Sequence, residues 1–571
     1  MADESGLNPF IFPLTGGLVK NQSTFSMDPG LALELENFEP DIQGGYRRIN
    51  GYEKWNPNKV PFTTSDENEP VLMSAFFRGE VVAARGESIY RATDATSTLN
   101  GSITDSDTTI TLTSSSGFSP TGTVKISDEE ITYTGISGND LTGCTRGANS
   151  TTATSHSDES AVSQMWTEVD SGRTNAGKYT FFRVNIAGDD FLFLADGANK
   201  PGFFDGTTVS TCSCPLTPTD PKFVVSFKNH AFLAGMSSNP QEIVFSAPYD
   251  LNTFDPAAGA GNIDIDSNIT GLIVFREELY IFAEERIYKI SGNSVADFIL
   301  TPVTREIGCR NGFTVQEFAG DIVFLGPDGL RTVAATQRIG DVELGTISLP
   351  IQEVFQNITD PDQFDSVVIP DKTQYRLFLT NTSKDIREQT RGVIAVRKGN
   401  SYEFAEVKGI QPSCTDFNTF QGETYVLHGD FEGFVYRQEK GNTFDGNTIV
   451  GRYRSPDITA GDAGIRKTFQ RVIINYAPTG FVNSDLLLRY DYESPSAPRP
   501  DAYPFDSTKV VAIYGLSNYG TATYGGQSNP LIRQPVEGSG FAVALRVVDS
   551  GVSAPYSLKG FQLEFDIGAR R

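Results

Sequence analysis

Short apolar strands that follow tight polar turns recur along most of this chain. Each copy of the pattern has an aromatic or aliphatic residue, a polar turn and then four or five mostly apolar residues. Seven copies occur, at residues 76–84 (FFRGEVVAA), 186–194 (IAGDDFLFL), 227–234 (FKNHAFLA), 275–282 (FREELYIF), 318–325 (FAGDIVFL), 369–379 (IPDKTQYRLFL) and 420–427 (FQGETYVL).

The spacing of these copies predicts the architecture. Equivalent positions lie 110, 40, 48, 43, 53 and 50 residues apart, measured between Val81, Phe191, Ala231, Leu279, Ile322, Tyr375 and Tyr425. Only the first step is long, and an insertion of the 67 residues 97–163 would reduce it to 43. Periods of this size with several short strands per unit are typical of β-propellers, whose blades bury their faces against their neighbours. We therefore predict an all-β protein with a propeller of about seven blades over residues 71–456.

The predicted insertion differs in composition from the blades. Serine and threonine account for 29 of its 67 residues. Its segments 109–113 (TITLT), 123–126 (TVKI) and 130–134 (EITYT) alternate between polar and apolar residues, as the strands of a half-buried antiparallel sheet do. The pattern favours a small β module that protrudes from the first blade, and a flexible Ser/Thr-rich loop is the alternative.

The two ends of the chain have their own patterns. Residues 1–70 are loop-rich and predict an extended N-terminal arm. Residues 457–571 predict a C-terminal β-sandwich-like domain, because proline-rich connections separate long candidate strands at 469–476, 486–492, 541–548 and 561–567. One helix is predicted, at residues 350–358, where Ile351, Val354, Phe355 and Ile358 follow a proline at helical spacing.

The acidic excess is confined to one part of the chain. The net charge is −25, but residues 457–571 contain 11 basic and 11 acidic residues, so the whole excess lies in residues 1–456. Such a balance disfavours a surface that grips phosphate backbones, since that affinity comes largely from lysine and arginine. Solubility alone explains the acidity. An acidic surface past which DNA moves without adhering explains it equally well.

Targeting signals and disulfides are not predicted. No apolar run approaches the roughly 20 residues that a membrane span needs, and the start MADESGLNPF lacks the regions of a signal peptide. An odd number of cysteines in a chain this large argues against a disulfide framework. We expect reduced thiols and synthesis in a cytoplasm. The five cysteines are Cys144, Cys212, Cys214, Cys309 and Cys414.

Groups that titrate or bind metals near neutral pH are scarce. The three histidines, His156, His230 and His428, are isolated in the sequence, and Cys212 and Cys214 have no partner CxxC. No GxSxG, GxxxxGK[ST] or Rossmann glycine pattern occurs. Oxygen ligands alternate along one segment and would suit calcium, although exposed acids on an edge strand explain them equally well. These residues are Asn262, Asp264, Asp266 and Asn268.

A propeller glycosidase would need paired carboxylates in a cleft, and 71 acidic residues supply chance pairs. The repeated Asp boxes of sialidases are absent, and Trp55 and Trp166 are the only tryptophans for sugar stacking. The sequence therefore predicts no catalytic, cofactor-binding or metal-binding residues and no cofactor, and we expect the chain not to be an enzyme.

The segment 16–55 carries a resemblance to a known family. It contains Leu35-Glu36-Asn37, then GGYRR at residues 44–48, then Gly51-Tyr52. This phrase resembles the start of podophage tail proteins, namely the nozzle or tail tubular protein B and the hub or packaged DNA stabilisation protein. The repeats, the segment 514–526 (YGLSNYGTATYGG) and the ending 560–571 (GFQLEFDIGARR) resemble the same proteins. Residues 143–148 (GCTRGA) are similar to insertions in tail proteins of marine phages.

The resemblance implies a structural tail component of a bacteriophage virion, made in the host cytoplasm. Such proteins form a ring, usually a homohexamer, that closes the DNA channel below an adaptor protein, retains packaged DNA, gates its ejection and docks fibres or spikes. Double-stranded DNA would lie in the lumen without sequence-specific contacts. We expect acidic propeller side chains to line that lumen and the neutral C-terminal unit to join subunits. The alternatives are a receptor- or glycan-binding propeller adhesin, with residues 97–163 as the binding element, and a propeller glycoside hydrolase.

Overall fold

The computed structural model describes residues 7–62, 69–175, 177–212, 220–334, 346–356, 363–380, 391–478, 482–506 and 531–568 of the 571-residue chain. Strands prevail in these ranges, and most of them form small antiparallel sheets. The predicted fold class is confirmed: the chain is a seven-bladed β-propeller with an inserted β module and a C-terminal β-sandwich.

The N-terminal segment is built into other parts of the molecule and does not form a separate arm. Its five strands are β1 Asn8–Pro13, β2 Glu34–Glu36, β3 Phe38–Pro40, β4 Tyr46–Arg48 and β5 Tyr52–Lys54. β5 pairs with the last blade, and the other four pair with strands near the C-terminus or with each other. Strand partners so distant in sequence leave no local signal, which is why the sequence predicted an arm.

The first blade is interrupted by the module. It begins with β6 Val71–Phe77, β7 Glu80–Arg85 and β8 Ser88–Ala92. The module adds β9 Thr96–Thr98, β10 Thr109–Thr111, β11 Gly122–Ile126, β12 Glu129–Tyr133, β13 Gly135–Ser137, β14 Asp140–Thr142 and β15 Ala161–Gln164. β16 Thr167–Asp170 then completes the blade by pairing with β8.

Blades 2 to 4 are regular four-stranded antiparallel sheets. They comprise β17 Thr180–Ile186, β18 Asp189–Ala195, β19 Gly202–Phe204 and β20 Val209–Thr211; β21 Phe223–Phe227, β22 His230–Ala234, β23 Glu242–Phe245 and β24 Gly261–Asp264; and β25 Ile269–Phe275, β26 Glu278–Ala283, β27 Ile287–Ser291 and β28 Ile299–Thr304.

Blades 5 to 7 complete the circle. They comprise β29 Gln316–Phe318, β30 Asp321–Gly326 and β31 Gly329–Thr332; β32 Asp365–Ile369, β33 Gln374–Leu379, β34 Arg391–Lys398 and β35 Ser401–Val407; and β36 Cys414–Phe420, β37 Glu423–Gly429 and β38 Val435–Gln438. β5 is the fourth strand of blade 7, and β36 lies against β6 of blade 1. The N-terminal segment therefore closes the propeller.

The repeated sequence pattern is the hairpin between the first and second strands of each blade. In six blades the two turn residues have positive φ, as Arg78 (52°) and Gly79 (91°) do in blade 1. Two-residue turns of this type match the twist of the strands they connect. Blade 6 instead has the 3-10 turn Pro370–Lys372 followed by Thr373 at φ 49°. This longer turn explains why its copy of the pattern is the longest.

Apolar residues that alternate along the strands fill the spaces between blades. Aromatic pairs join neighbouring blades, such as Phe77 and Phe204 between blades 1 and 2 (5.6 Å between ring centroids). Phe282 and Phe324 join blades 4 and 5 at 5.2 Å. Each blade thus buries both faces, as the period of the repeat predicts.

The C-terminal unit is continuous with blade 6. Its strands are β39 Gly451–Arg454, β40 Lys467–Pro478, β41 Asn483–Tyr490, β42 Tyr503–Asp506, β43 Leu531–Pro535, β44 Ser539–Gly540, β45 Val543–Asp549 and β46 Tyr556–Ile567. One sheet runs β32-β33-β34-β35-β2-β39-β45-β41-β42, and the facing sheet runs β3-β4-β46-β40-β43, with β1 on β46 and β44 on β40. One hydrophobic core spans both sheets and blade 6, so propeller and sandwich form one structure.

The module has its own core. Two small sheets, β12-β11-β15-β9 and β10-β14-β13, enclose Ile110, Leu112, Val124, Ile131 and Leu141, which are all fully buried. The alternative of a flexible loop is therefore wrong. The ends of the module meet at the pair Thr96 and Ser163 on β9 and β15, as expected for a unit inserted into a blade connection.

Helices are short in the described ranges. The predicted α-helix at residues 350–358 is wrong in type: the structure has a 3-10 helix, Leu349–Phe355, in which Ile351 departs from helical angles (φ −122°). Residues 357 and 358 lie outside the described residues. Further 3-10 turns are Thr24–Ser26, Pro256–Ala258, Gly312–Thr314 and Asp491–Glu493. Over the described ranges, the structure contains no helix with the length and apolar character of a membrane span.

Candidate functional site

Residues 16–55, which carry the family-like phrase, form a clasp that holds the molecule together. Tyr46 of the phrase is fully buried, and its hydroxyl donates to the carbonyl of Gly30 (2.7 Å) and accepts from the N–H of Gly17 (3.1 Å). Gly45 precedes it at φ 87°, where a Cβ would lie 2.1 Å from the carbonyl oxygen of Leu558. A glycine is required at this point because backbone meets backbone.

Arg48 anchors the clasp to the C-terminal unit. Its guanidinium is fully buried and donates to the backbone carbonyls of Gly551 (2.8 Å) and Asn442 (3.1 Å). It also lies 3.7 Å from the carboxylate of Asp549. Several donors in a fixed plane suit arginine for joining separate backbone segments in this way. Arg47 beside it is half-buried and lies 3.9 Å from Glu39.

The Leu-Glu-Asn part of the phrase joins blade 6 to the C-terminal unit. Glu36 pairs with Lys408 at 2.6 Å and with Arg452 at 2.8 Å. Asn37 adopts φ 55°, a conformation that asparagine tolerates better than most residues. Its side chain donates to the carbonyl of Val450 (2.9 Å) and accepts from the N–H of Lys408 (2.9 Å).

The last part of the phrase connects the last blade to the first. A Cβ on Gly51 would lie 1.9 Å from the carbonyl oxygen of Thr443, so the chain passes there only as glycine. Tyr52 begins β5, and its ring stacks on Phe444 at 4.9 Å. Trp55 is buried and donates from Nε1 to the carbonyl of Ala92 in blade 1 (3.1 Å).

A buried ionic cluster lies under the clasp. Arg376 of blade 6 is buried and pairs with Glu439 (2.6 Å) and Glu39 (3.2 Å), and Lys372 pairs with Glu39 (2.6 Å) and with Glu439. Burial alone would raise the pKa of Glu439, but Lys372 and Arg376 hold it below its usual value. No spacing in the sequence indicated this cluster, because its members come from three distant segments.

An ion pair joins blade 2 to blade 6. Lys178, just before β17 of blade 2, reaches across to blade 6 and lies 3.2 Å from the carboxylate of Asp365. Its ammonium also donates to the carbonyls of Gln363 (3.1 Å) and Phe364 (3.2 Å), and it lies 5.3 Å from the ring centroid of Phe313. Burial raises the pKa of Asp365, although Lys178 opposes the shift.

A second ion pair joins blades 2 and 7 beside the first strand of blade 1. Arg183 of blade 2 pairs with Asp416 of blade 7 and donates from Nε to the carbonyl of Phe76 in blade 1 (2.8 Å). Asp416 also accepts from the N–H of Phe76 (2.8 Å). Burial raises the pKa of Asp416 above its usual value, although Arg183 partly opposes the shift. The two ion pairs therefore join blade 2 to blades that are not its neighbours.

A small pocket of about 270 Å³ lies between the first hairpins of blades 1 and 2 and the first strand of blade 7. Its polar lining includes Arg78, paired with Asp190 at 3.3 Å, and Arg183, paired with Asp416. A mixed aromatic and polar lining suits binding of a small polar ligand. Each charged group named here already has a partner of opposite charge. The remaining lining residues are Phe77, Val184, Asn185, Asn418 and Phe420.

The three histidines have structural environments. Burial lowers the pKa of His428 to about 3, and its ring stacks on Tyr436 at 5.0 Å. His230 packs against Phe245 with 5.6 Å between ring centroids. His156 contacts Glu129 in the module, at 2.8 Å. The structure places these histidines in three separate sheets or modules and does not bring them together.

The described cysteines lie inside the protein. Cys144, Cys309 and Cys414 are buried thiols, Cys212 is buried, and Cys214 lies outside the described residues.

The candidate calcium ligands contact other side chains. Asn262 donates to Glu242 (2.8 Å), Asn268 donates to Glu284 (3.3 Å) and Asp266 pairs with Arg286. Within the described ranges, no three His, Cys, Asp or Glu side chains converge as metal ligands would. Of the family-like segments, 514–526 also falls outside these ranges.

The GCTRGA segment of the module, residues 143–148, folds around one buried carboxylate, that of Glu129. Glu129 is buried and receives two hydrogen bonds of 2.8 Å from Arg146. It also accepts from the N–H groups of Gly147 (3.0 Å) and Thr154 (3.2 Å) and contacts His156 (2.8 Å). Burial would raise the pKa of Glu129, but these hydrogen bonds lower it to about 2. The network fixes the loop over residues 143–156.

We expect the module to lose stability as the pH falls from about 4.5 to about 2. The folded pKa of Glu129 lies below its ordinary value, so its contribution is full above about pH 4.5 and disappears as the group is protonated. A shift of this size corresponds to roughly 3 kcal/mol. Hydrogen exchange of β11 and β12, corrected for the intrinsic pH dependence of exchange, should accelerate over this range. Glu129→Gln should remove the dependence, whereas the control Glu130→Gln should keep it. An unchanged profile in Glu129→Gln would rule out this role.

The solved structures that this chain matches share little sequence with it. An ancestral GH74 enzyme is 9% identical, with 63% of this chain and 54% of that chain covered and a TM-score of 0.34. The exo-β-1,3-galactanase of Phanerochaete chrysosporium is 10% identical (81% and 100% covered, TM-score 0.22), and Kluyveromyces lactis Hsv2 is 8% identical (59% and 98%, TM-score 0.26). This chain thus spans about half the length of the GH74 enzyme. No protein-family model matches the sequence, and neither does any curated protein.

These neighbours contradict the expectation that the chain is not an enzyme. The GH74 enzyme and the exo-β-1,3-galactanase are both enzymes by name. That expectation relied on missing sequence motifs, and such motifs cover only part of the chemistry that propellers support. The absence of those motifs therefore does not exclude catalysis.

Proposed function

We propose that this propeller protein is a structural component of a bacteriophage tail, a nozzle or hub. It would form a ring that closes the DNA channel, retains packaged DNA, gates its ejection and docks fibres or spikes below an adaptor protein. The observation that carries the proposal is the family-like phrase of the clasp. Its members Glu36, Tyr46, Arg48 and Tyr52 contact blade 6, the C-terminal sheets and the last blade, and Trp55 at its end bonds to the first blade. Because these residues join separate parts of the fold, their match to the family's sequence phrase favours an architecture shared with that family over a chance match.

The distribution of charge along the chain supports assembly into a ring around DNA. The acidic excess of residues 1–456 suits a channel wall, because an acidic wall repels the DNA backbone and prevents adhesion. Residues 457–571, which are neutral overall, suit contacts between subunits.

A groove on the C-terminal sandwich offers a surface for such contacts or for a docked fibre. It has a volume of about 810 Å³ on the outer face of β1, β46, β40 and β43. Ile11 and Leu531 are exposed in it, by 70% and 37%. Exposed apolar side chains in a groove are typical of sites that other protein segments cover.

Native mass spectrometry of the purified full chain tests the proposal. A ring of six subunits would give an assembly near six times the chain mass of 62.1 kDa. A closed ring with another number of subunits would support the structural role and change only the expected subunit number. A protein that stays monomeric at micromolar concentration would contradict the proposal, and a monomer that binds glycans would favour an adhesin.

A further inference from the structure

The small pocket beside the first hairpins of blades 1 and 2 is lined by polar side chains that strands hold in place. Arg183 on β17 donates from Nε to the carbonyl of Phe76 (2.8 Å) and pairs with Asp416. Nδ2 of Asn418 on β36 lies 3.5 Å from the same carbonyl oxygen. Polar groups fixed in this way lose little freedom when a ligand binds, which favours affinity.

The first hairpins of blades 1 and 2 supply the other polar groups of the pocket. Asp190 accepts from Nδ2 of Asn185 (2.7 Å) and pairs with Arg78 (3.3 Å), which also donates to the carbonyl of Asp205 (3.2 Å). The hydrogen bond from Asn185, and then that from Arg78, hold the pKa of Asp190 below its usual value. Asp190 is therefore a carboxylate at neutral pH, and its side chain is 49% exposed, so it can accept further hydrogen bonds.

Several donors and acceptors of this lining have no partner among the described residues. Arg183 uses Nε and Nη2, and Arg78 uses Nε and Nη1, which leaves one terminal NH₂ group of each guanidinium. The side-chain oxygen of Asn418 likewise accepts no hydrogen bond within the described ranges. Each hydroxyl group both donates and accepts, so a ligand with several hydroxyl groups can satisfy both kinds of site.

The balance of charge favours a neutral ligand. Arg78 and Arg183 are matched by the carboxylates of Asp190 and Asp416, so these four groups carry no net charge. An anionic ligand would approach the half-exposed carboxylate of Asp190, and a cationic ligand would approach the two guanidiniums. A charged group of either sign therefore meets a like charge in the pocket.

The aromatic side chains and the size of the pocket restrict the ligand further. Phe77 and Phe420 line it and supply apolar surface for C–H groups. Its volume of about 270 Å³ is below the range of roughly 300–1,000 Å³ that is usual for drug-sized ligands. A single sugar combines these properties, since its ring carries several hydroxyl groups and exposes C–H groups on its faces.

We propose that this pocket binds one neutral sugar ring, either a free monosaccharide or the terminal unit of a glycan. Its hydroxyl groups accept from the guanidiniums of Arg78 and Arg183 and donate to Asp190 and Asn418, while its C–H groups contact Phe420. All of these groups belong to one chain, so the inference does not depend on the proposed ring.

Saturation-transfer NMR and titration calorimetry of the full chain test the site. The probes are glucose, galactose and mannose, each compared with its uronate and its 2-amino counterpart. At least one neutral sugar should bind with a dissociation constant on the order of 1 mM, as expected for a ligand of about a dozen non-hydrogen atoms. Its two charged counterparts should bind more weakly.

Two substitutions locate the bound sugar. Arg78→Met and Asn418→Leu should each weaken binding about tenfold, because each removes a hydrogen-bonding partner of the ligand. Arg276→Met is the matched control, since Arg276 has the same turn position in blade 4 (φ 48°) and donates to the carbonyl of Gly320 but does not line the pocket. That variant should bind the sugar like the wild type, and a cooperative thermal transition shows that each variant is folded.

The methyl glycosides of the sugar that binds distinguish its two sources. A methyl glycoside that binds as tightly as the free sugar indicates the terminal unit of a glycan, and loss of binding indicates a free monosaccharide. The inference would be overturned if none of the three neutral sugars binds, if a charged counterpart binds more tightly, or if binding persists in both Arg78→Met and Asn418→Leu. Native mass spectrometry tests the ring independently, so the two proposals can fail separately.

Discussion

A chain that begins at residue 56 is expected not to fold. It would lack β5, which is the fourth strand of blade 7, and the buried side chains of Tyr46, Arg48 and Trp55. It would also lack Glu39 and leave Arg376 with only part of its carboxylate shell. Together these losses exceed the unfolding free energy of about 5–15 kcal/mol that most proteins have. Soluble expression, size-exclusion chromatography and circular dichroism would show aggregated or unfolded protein.

A deletion of similar size supplies the control. Replacing residues 97–163 by a short glycine-serine turn removes the module, whose core is its own and whose ends meet at Thr96 and Ser163. That variant should remain soluble, with a cooperative thermal transition. If the chain that begins at residue 56 instead gives a monodisperse protein with a cooperative transition, the clasp does not close the propeller.

Replacing one buried arginine is expected to have the largest effect of any single substitution considered. Arg376→Met removes a cation that pairs with both Glu39 and Glu439, and leaves the two buried carboxylates with Lys372 and with Arg47, which lies 3.9 Å from Glu39. Removing one partner from a buried ion pair typically costs about 3–5 kcal/mol, because the remaining charge stays out of water. The free energy of unfolding in urea should fall by this amount. The fluorescence of Trp55 and Trp166, which are both buried, can follow it.

An exposed pair provides the comparison. Arg471 contacts Glu564 at 2.9 Å, but its side chain is 42% exposed. Arg471→Met should change the free energy of unfolding by about 1 kcal/mol or less, since exposed ion pairs contribute little. Equal effects of the two substitutions would show that the cluster under the clasp is not a major source of stability.

The sequence predicted the propeller because the information is local. Each copy of the repeat contains its own turn, such as Arg78-Gly79, and an alternating strand, so spacing alone gives about seven blades. The module was predicted for the same reason: Thr109–Thr111 and Glu129–Tyr133 alternate between buried and more exposed positions.

The contacts between distant segments could not be predicted from the sequence. The phrase at residues 44–48 was recognised, but nothing local indicates that Tyr46 pairs with Leu558 or that Arg48 reaches Gly551. The same holds for the nine-stranded sheet that joins blade 6 to the sandwich through β2 and β39. A period-two pattern indicates which face of a strand is buried, but it does not identify the partner strand.

The ion pairs that join blade 2 to blades 6 and 7 were missed for a different reason. Lys178, Arg183, Asp365 and Asp416 are ordinary charged residues in the sequence, and only closure of the blades brings them together. Seventy-one acidic residues gave too many candidates for a pair to be chosen.

A three-dimensional reconstruction of the purified assembly tests the central proposal most directly. We predict a closed ring around a channel that lies between chains, with a wall formed by acidic side chains of residues 1–456 and with contacts between subunits through residues 457–571. A ring with a basic lumen would contradict this account, and so would particles that contain a single copy.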